Sequence, residues 1–413
     1  MKLLLVAGRF PQRSETFIYR KAVGLAGRGH HVTVASRSPG EWSIYPDPLP
    51  ATMTVEVWPP DVGLRSPERA FAAVLGSVRT AIREPTLTRT LLTRVRADQR
   101  TRAQPRIHAL RHLALVGRDF DVIHFEFLGL ASMYPLAREL TGARIVVSCR
   151  GTETHTLSQR PAAEQASMLA TFRDADAVHC VSAELAASMA QLAGVRPGVW
   201  INRPALDVEA ISPRDRRGRG GPLRIITTGR LVWQKGFDHL LAAFARLRQR
   251  GVAFHAQIVG DGELRRVLAF SISALGLDAH VELVGAVSSA DVLARMLDAD
   301  VFVLSSHTEG ISNAAIEAMA AGLPIVTTAA GGMTEVVTDG VEGFVVPVRD
   351  PEAMAARLAT LAVDEPRRLA MGAAARARAV AELSIERQVN VFEELYASLG
   401  ARDDARGSST SSR

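Results

Sequence analysis

The chain has 413 residues, enough for two domains of ~200 residues, and 47% of them are apolar against 22% charged. With a mean hydropathy of +0.08, that balance excludes a disordered chain; no apolar run approaches the ~18 residues of a membrane-spanning helix, and two cysteines, Cys149 and Cys180, exclude a disulfide scaffold or a cysteine-rich metal centre. The formal net charge of +6 rests on 46 arginines and only three lysines, Lys2, Lys21 and Lys235, so the arginine bias is mostly compositional and each lysine is a position to inspect.

The chain opens on MKLLLVAGRF, whose apolar run is too short for a secretory signal and reads as a first strand, as expected of a cytoplasmic protein. Apolar β-type runs follow at 2–6, 31–35, 53–57, 122–125, 144–148, 177–181 and 199–202, then at 223–228, 256–259, 280–283, 301–304, 325–328 and 343–346. Helical patterns separate them. Near-continuous apolar strands alternating with helices predict an α/β chain of two doubly wound parallel-sheet units in succession. Residues 62–118 stand apart as a basic helical insertion. Phe71, Val74, Leu75, Val78 and Ile82 fall at helical spacing, as do Leu87, Leu91 and Val95, and eleven arginines lie between Arg65 and Arg111. That surface reads either as a solvated face or as one that meets anionic lipid or an anionic acceptor. Residues 203–222, rich in Pro, Gly and charge, read as a linker. The domains are therefore expected at 1–203 and 204–384, with a terminal helix at 385–400 packing back on the first and a disordered tail at 401–413. ADAVHCVS (175–182) and ADVFVLSS (299–306) echo one another and support two similar units.

Open α/β sheets bind ligands at the carboxyl ends of their strands, so the loops after strands carry the chemistry. After 223–228 comes GRLVWQKG, in which Gly229 permits a close turn and Arg230 and Lys235 flank the start of a helix, a site suited to a diphosphate. After 301–304, Glu309 and Glu317 are eight residues apart. A helix beginning near Gly310 puts Glu309 at its mouth and Glu317 about two turns along the same face, one carboxylate for each end of an elongated ligand. Gly331-Gly332, after 325–328, opens a helix and offers backbone N–H groups to a phosphate. In the first domain Arg150 directly follows the strand at 144–148, where it can meet an anionic or hydrogen-bonding acceptor unless Glu153 pairs with it. Asp174-Ala-Asp176 and Asp298-Ala-Asp300 have an Asp-x-Asp spacing but sit at helix-to-strand junctions, so no metal is expected there. Low aromatic content (5%) and the lack of a reader motif speak against nucleic acid.

GRLxxxKG, GDGE (260–263), the two glutamates eight apart, EAMAAGLPIV, GGMTEVV and DGVEGFVVPVRDPEAMA resemble, in this order, retaining glycosyltransferase family four. The match covers most of 223–385; RSETFIYRKAVGLAGRGHHVTV (13–34) resembles a subgroup with a Ser-Glu-Thr-Phe start, and DVIHFEF (121–127) its mid-domain strand. The resemblance implies a GT-B fold, two Rossmann-like domains facing a central cleft. It implies a retaining hexosyltransferase that takes its sugar from a UDP- or GDP-type nucleotide-diphospho-sugar and hands it to a small-molecule, natural-product or polysaccharide-precursor hydroxyl, needing no metal and no cofactor. The alternative is a relative that does not transfer, an epimerase or hydrolase. In the implied site Arg230, Lys235 and Glu309 are catalytic; Gly229, Val284, Gly285, Val287, Gly310, Ile311, Ser312, Asn313 and Glu317 bind the donor; and Gly8, Arg9, Ser14, Glu15, His124, Arg150 and Glu153 lie on the acceptor side. The family's His-Gly is replaced here by Arg150-Gly151, which leaves His124 and His155 as histidine candidates, and its Asn-Gly is replaced by Asn202-Arg203-Pro204. The expected location is cytoplasmic, with peripheral contact at an anionic inner membrane face.

Overall fold

A computed structural model of the chain describes residues 1–12, 15–45, 48–58, 82–97, 105–151, 156–194 and 198–407, with 44, 105–107 and 401–407 in backbone only. The chain divides into two units. Unit 1 gathers Met1–Cys180, Ala186–Asn202 and the chain from Val389, and unit 2 gathers Val181–Leu185 and Arg203–Gln388.

The strands of unit 1 are β1 (Lys2–Phe10), β2 (His31–Pro39), β3 (Met53–Val57), β4 (Val122–Phe125), β5 (Arg144–Cys149), β6 (Ala177–Cys180) and β7 (Val199–Ile201). Those of unit 2 are β8 (Leu223–Thr228), β9 (Phe254–Val259), β10 (Val281–Gly285), β11 (Val301–Leu304), β12 (Ile325–Thr328) and β13 (Gly343–Val346). Among the described residues the sheet orders are β3-β2-β1-β4-β5-β6-β7 and β10-β9-β8-β11-β12-β13. Neighbouring strands pair in parallel, for example β1 with β4 and β8 with β11. Both units therefore have the doubly wound order, whose direction of winding reverses between β1 and β4 and between β8 and β11. The strands β4, β6, β11 and β12 are buried at every residue, as strands covered on both faces must be. β1 and β2 run past the apolar cores expected of them because pairing continues through Arg9 with Ser38 after the covering layer has ended and side chains are exposed.

The helices are α1 (Thr16–Gly27), α2 (Pro85–Ala97), α3 (Pro105–Leu113), α4 (Leu128–Ala131), α5 (Ala137–Thr141), α6 (Ala162–Asp174), α7 (Ala183–Ala193), α8 (Phe237–Gln249), α9 (Arg265–Ala274), α10 (Ser289–Asp298), α11 (Asn313–Ala320), α12 (Pro351–Val363), α13 (Glu365–Glu382) and α14 (Ile385–Gly407). None among the described residues is long and apolar enough to cross a membrane. α1 buries Phe17, Ile18, Lys21, Ala22, Leu25 and Ala26, so Lys21 occupies a position that the spacing assigns to the core. In α2, Leu91 and Val95 are buried with Val116 and Leu136 while Arg89, Arg94 and Arg96 are exposed. Of the stripe at 71–82 only Ile82 lies within the described residues, and it is 74% exposed rather than packed. α14 continues through Gly407, past the expected end at 400; 408–413 lie outside the described residues. From Val389 onward this helix is part of unit 1, where Phe392 and Tyr396 are buried.

Two sequence readings need correction. The segment 203–222 is not a free linker: Leu206, Val208 and Ile211 are buried in a unit 2 core with Phe302, Met319 and Ile325. Arg216 closes the segment by donating to the carbonyls of Met296 (3.3 Å), Leu297 (3.2 Å), Ala299 (2.6 Å), Ala321 (3.2 Å) and Gly322 (3.4 Å), at the carboxyl ends of α10 and α11 where carbonyls run out of helical partners. The echo at 175–182 and 299–306 does not mark equivalent strands either, because β6 is second from one end of its sheet and β11 follows the reversal point of the other. What the two share is local. Asp176 accepts from Ile145 N (2.8 Å) and Asp300 from Arg224 N (3.0 Å), each clamping the neighbouring strand. Asp121 does the same to Lys2 N (2.7 Å) at the entry to β4.

Candidate functional site

In unit 2 the loops after β8, β11 and β12 are stitched together at the carboxyl edge of the sheet. His307 N–H donates to the Gln234 carbonyl (2.8 Å), Ser305 Oγ to the Lys235 carbonyl (2.8 Å) and Thr328 Oγ1 to the Ser306 carbonyl (2.6 Å). The Gly332 N–H donates to the Gly310 carbonyl (2.8 Å). Gly236 makes the first of these joints possible. It caps α8 at φ +60°, and a Cβ there would lie 2.3 Å from the Ser305 carbonyl oxygen. The turn Trp233–Lys235 thus leads directly into α8, close to where the sequence put a helix start.

Lys235 and Glu309 form an ion pair across these loops, with side chains 20% and 12% exposed, and Ser306 Oγ donates to the same carboxylate at 2.8 Å. Arg230 lies in the same loop, exposed, and its side chain has no hydrogen bond or ion pair among the described residues. Lys235, Glu309 and Gly310 therefore come together from β8 and β11, the strands that flank the reversal point.

The helix after Glu309 starts later than the spacing suggested. α11 begins at Asn313, because Ser312 is its N-cap and accepts from Ala315 N. Glu309 is consequently a loop residue, not at the mouth of a helix, and half-buried Glu317 lies about one turn into α11 instead of two. Ile311 is a core residue at 7% exposure, and the Ser312 N–H faces Met333 Sδ at 3.4 Å, so that stretch has fewer free backbone donors than expected. Gly331-Gly332 opens only a five-residue 3₁₀ turn, Gly331–Glu335. Gly229 donates to the Val259 carbonyl (3.0 Å) and the Gly285 carbonyl accepts from Gly260 (2.9 Å). Val284 and Val287 are partly buried against the core at the edge strand β10.

A further group was missed by the sequence reading. Asp238 and His239, in the first turn of α8, and His307, after β11, each offer a ligand atom within 4.8 Å of the others. His307 Nδ1 is buried with no partner among the described residues, Nε2 is 4.0 Å from Asp238, and burial pushes its pKa below the usual imidazole value. The signal was an Asp-His pair at a helix start, unremarkable until the fold brings a second histidine to it. The Asp-x-Asp aspartates, in contrast, hold backbone and arginines: Asp176 meets Arg138 (2.7 Å) and Arg144 (3.4 Å), and Asp298 lies 3.7–3.8 Å from Arg214, Arg219 and Arg224.

In unit 1 Gly8 and Arg9 are exposed at the end of β1, and Arg9 Nε donates to the Pro39 carbonyl (3.0 Å). Glu15 precedes α1 without capping it. Ser14, Glu153 and His155 lie outside the described residues. Arg150 is partly engaged within the unit, by Glu126 and not by Glu153 among the described residues. Its Nη2 meets Glu126 Oε2 at 2.6 Å, its Nε donates to the Glu126 carbonyl at 3.1 Å, and its guanidinium lies 4.0 Å over the Phe17 ring. Glu126 also pairs with Lys21.

His124 belongs to a buried chain rather than an open site. Lys21 Nζ can only donate and lies 3.5 Å from His124 Nδ1, so that nitrogen accepts and the His124 proton sits on Nε2; His179 Nε2 donates to the Asn202 carbonyl (2.8 Å), and its Nδ1 accepts from Ser148 Oγ (2.7 Å). Ser148 then accepts from His124 Nε2 (2.8 Å), and Tyr396 donates to His124 Nδ1 (2.7 Å). Both imidazoles are neutral in this arrangement, and burial holds both pKa values well below the ordinary value.

Residues 14–209 match the family model described as Glycosyltransferase Family 4, and residues 211–378 the model described as Glycosyl transferases group 1. The chain is 34% identical over 285 residues to the GDP-mannose-dependent alpha-(1-6)-phosphatidylinositol monomannoside mannosyltransferase of Mycolicibacterium smegmatis, covering 65% of this chain and 74% of the relative. It is 33% identical over 190 residues to the amylovoran biosynthesis glycosyltransferase AmsK of Erwinia amylovora, covering 45% and 47%. The chain spans about half the length of the first curated relatives it matches. Among solved structures, Anabaena Alr3699/HepE in complex with UDP and glucose shares the fold at a TM-score of 0.72 and 19% identity, over 96% of this chain and all of that one.

Proposed function

The chain belongs to glycosyltransferase family 4, and from that premise we propose that it is a retaining, metal-independent transferase moving a hexose from a nucleotide-diphospho-sugar to a hydroxyl of a polysaccharide, natural-product or glycolipid precursor. The observation that carries the reading is the arrangement at the reversal point of unit 2, where a lysine and an arginine share one loop and Glu309 faces the lysine from the next. A leaving nucleotide diphosphate gains negative charge as the glycosidic bond breaks. Arg230 and Lys235 neutralise it, which is the main catalytic contribution asked of the protein. When the diphosphate draws Lys235 away, Glu309 is released to contact the hexose. Glu317 takes the ribose. Two fixed cations fill the part that a metal plays in other transferases, so Asp176 and Asp300 remain structural. Relatives named for GDP-mannose and a structural neighbour holding UDP with glucose support a nucleotide-linked hexose; relatives named for amylovoran and phosphatidylinositol monomannoside support the acceptor class. The Ser-Glu-Thr-Phe start supports the same subgroup.

A thermal-shift panel of UDP- and GDP-sugars tests the donor, since a ligand at ~100 Kd that binds only the native state adds ~2.7 kcal/mol. Product analysis with EDTA, with and without candidate acceptors, tests the rest. Sugar transfer with retained anomeric configuration in EDTA is expected. Donor turnover that ignores acceptors, or loss of transfer in EDTA restored by manganese, would overturn the reading.

A further inference from the structure

The carboxyl edge of the unit 1 sheet holds an imbalance of charge. Lys21, reaching from α1, and Arg150, directly after β5, both meet the single carboxylate of Glu126, directly after β4. Lys21 pairs with Oε1 and Arg150 with Oε2. The other polar groups packed there are His124, Ser148, His179 and Tyr396, and the hydrogen-bond chain fixes both imidazoles as neutral. Two cations therefore share one anion, and the cluster keeps one excess positive charge. Burial lowers the Lys21 pKa to about 8, which still leaves the ammonium charged at neutral pH.

An Arg150–Glu126 pair alone would be electrically neutral and complete as a structural element. Lys21 adds a charge which that pair does not need, at a helix position where an apolar residue fits. Only one member of the trio reaches solvent: the side chains of Lys21 and Glu126 are 1% and 0% exposed, and that of Arg150 is 9%. The arginine is also held rigidly. Phe17 lies under one face, Glu126 occupies Nε and Nη2, and Nη1 has no partner among the described residues. A guanidinium fixed on two sides, with one nitrogen unpartnered among the described residues, is preorganised for an oxyanion. The Lys21–Glu126 pair, from α1 after β1 and from the end of β4, spans the reversal point as Lys235 and Glu309 do in unit 2, and Arg150 joins it from β5, one strand further along.

We propose that Arg150, backed by the buried charge of Lys21, is an anion subsite of unit 1 that takes a phosphate or carboxylate group of the acceptor. Calling the ligand an acceptor rests on the transferase reading; the anion site itself does not.

The test is calorimetric titration of the full chain with glucose 6-phosphate, with glucose, and with vesicles of phosphatidylcholine alone or containing phosphatidylinositol. Any phosphate taken by unit 2 is common to wild type and unit 1 variants and cancels in the comparison. Wild type is expected to bind a phosphate-bearing probe and not glucose. Arg150→Met should weaken that binding at least tenfold, and Arg150→Lys should restore part of it. Lys21→Met should weaken it three- to tenfold although Lys21 touches no ligand, while UDP and GDP affinities stay unchanged in all three. Preference for glucose 6-phosphate identifies a soluble phosphate ester, and preference for phosphatidylinositol vesicles a lipid headgroup; either supports the subsite. Wild type indifferent to every phosphate-bearing probe, or Arg150→Met binding as wild type does, overturns it. If Arg150→Met fails to fold, Lys21→Met with a wild-type circular dichroism spectrum decides the matter by the same readout. Wild type that binds phosphate through Arg150 but no nucleotide would retain the anion site and refute the transferase reading instead.

Discussion

The Lys235 ammonium has a partner before any ligand arrives, and the Arg230 guanidinium has none among the described residues. The two cations should therefore fail differently. Arg230→Ala removes one contact to the leaving group and should lower turnover roughly 10²-fold with the fold intact. Lys235→Ala removes a contact and also leaves the Glu309 carboxylate with Ser306 but no cation, so a loss nearer 10³ is expected, with some loss of stability. Steady-state rates beside melting curves separate these effects, and near-normal turnover in both variants would remove the diphosphate from this loop. The two glutamates make a second pair of contrasts. Glu317→Ala should weaken binding of free UDP or GDP, whereas Glu309→Ala should leave free-nucleotide affinity nearly intact and reduce sugar transfer. Their separation is the basis, one in a loop and one about a turn into α11. Calorimetry with nucleotide and with intact donor distinguishes them, and an equal loss of free-nucleotide affinity would show that the roles are not divided.

At the scale of elements, the stretch between Arg203 and Pro222 shows how a segment with a linker's composition can be tied down by one side chain. Arg216 is buried and donates to carbonyls that end two helices and would otherwise lack partners. Arg216→Ala should cost about 3 kcal/mol by leaving those carbonyls without a donor, and Arg216→Lys should recover little, because an ammonium cannot span both helix ends. Urea unfolding of the two variants checks this; a change below about 1 kcal/mol in Arg216→Ala would mean that water replaces the guanidinium. The strand-entry aspartates follow the same logic on a smaller scale. Asp121, Asp176 and Asp300 each accept from the first backbone N–H groups of an adjacent strand and so help to set register. An Asp-x-Asp spelling thus arises where sheet construction places an aspartate at a strand entry.

Across the whole molecule, acid should act on unit 1 through its neutral histidines. His124 and His179 titrate well below the ordinary value because burial opposes the charged form, with repulsion from Lys21 and Arg150 added. The unfolded chain takes up protons first, near pH 6.5, so stability is complete above that value and falls as pH drops below it. Two such groups lose about 2.5 kcal/mol between pH 7 and 5.5. Denaturant midpoints at the two pH values check the figure, and His179→Gln should roughly halve the slope. A midpoint that does not move between pH 7 and 5.5 would mean that the chain tolerates an imidazolium. How much of this was legible beforehand depends on the range over which each feature is encoded. The strands β4, β8, β11, β12 and β13 could be read to the residue, because burial on both faces is written locally as a largely apolar run, and the edge strand β3 could be read from its alternating MTVEV. The loop holding Arg230 and Lys235 followed from the same runs, since it is whatever comes after β8. The start of α11 was misplaced by three residues because a serine cap outweighs a glycine as a start signal. Partnerships between side chains were not written locally at all. Lys21 meets Glu126 across 105 residues, His124 meets Tyr396 across 272, and Asp238 approaches His307 only once β8 and β11 lie side by side. Periodicity records which face of an element is buried; which charges meet there is decided by the winding order of the sheet, and only the tertiary structure contains that.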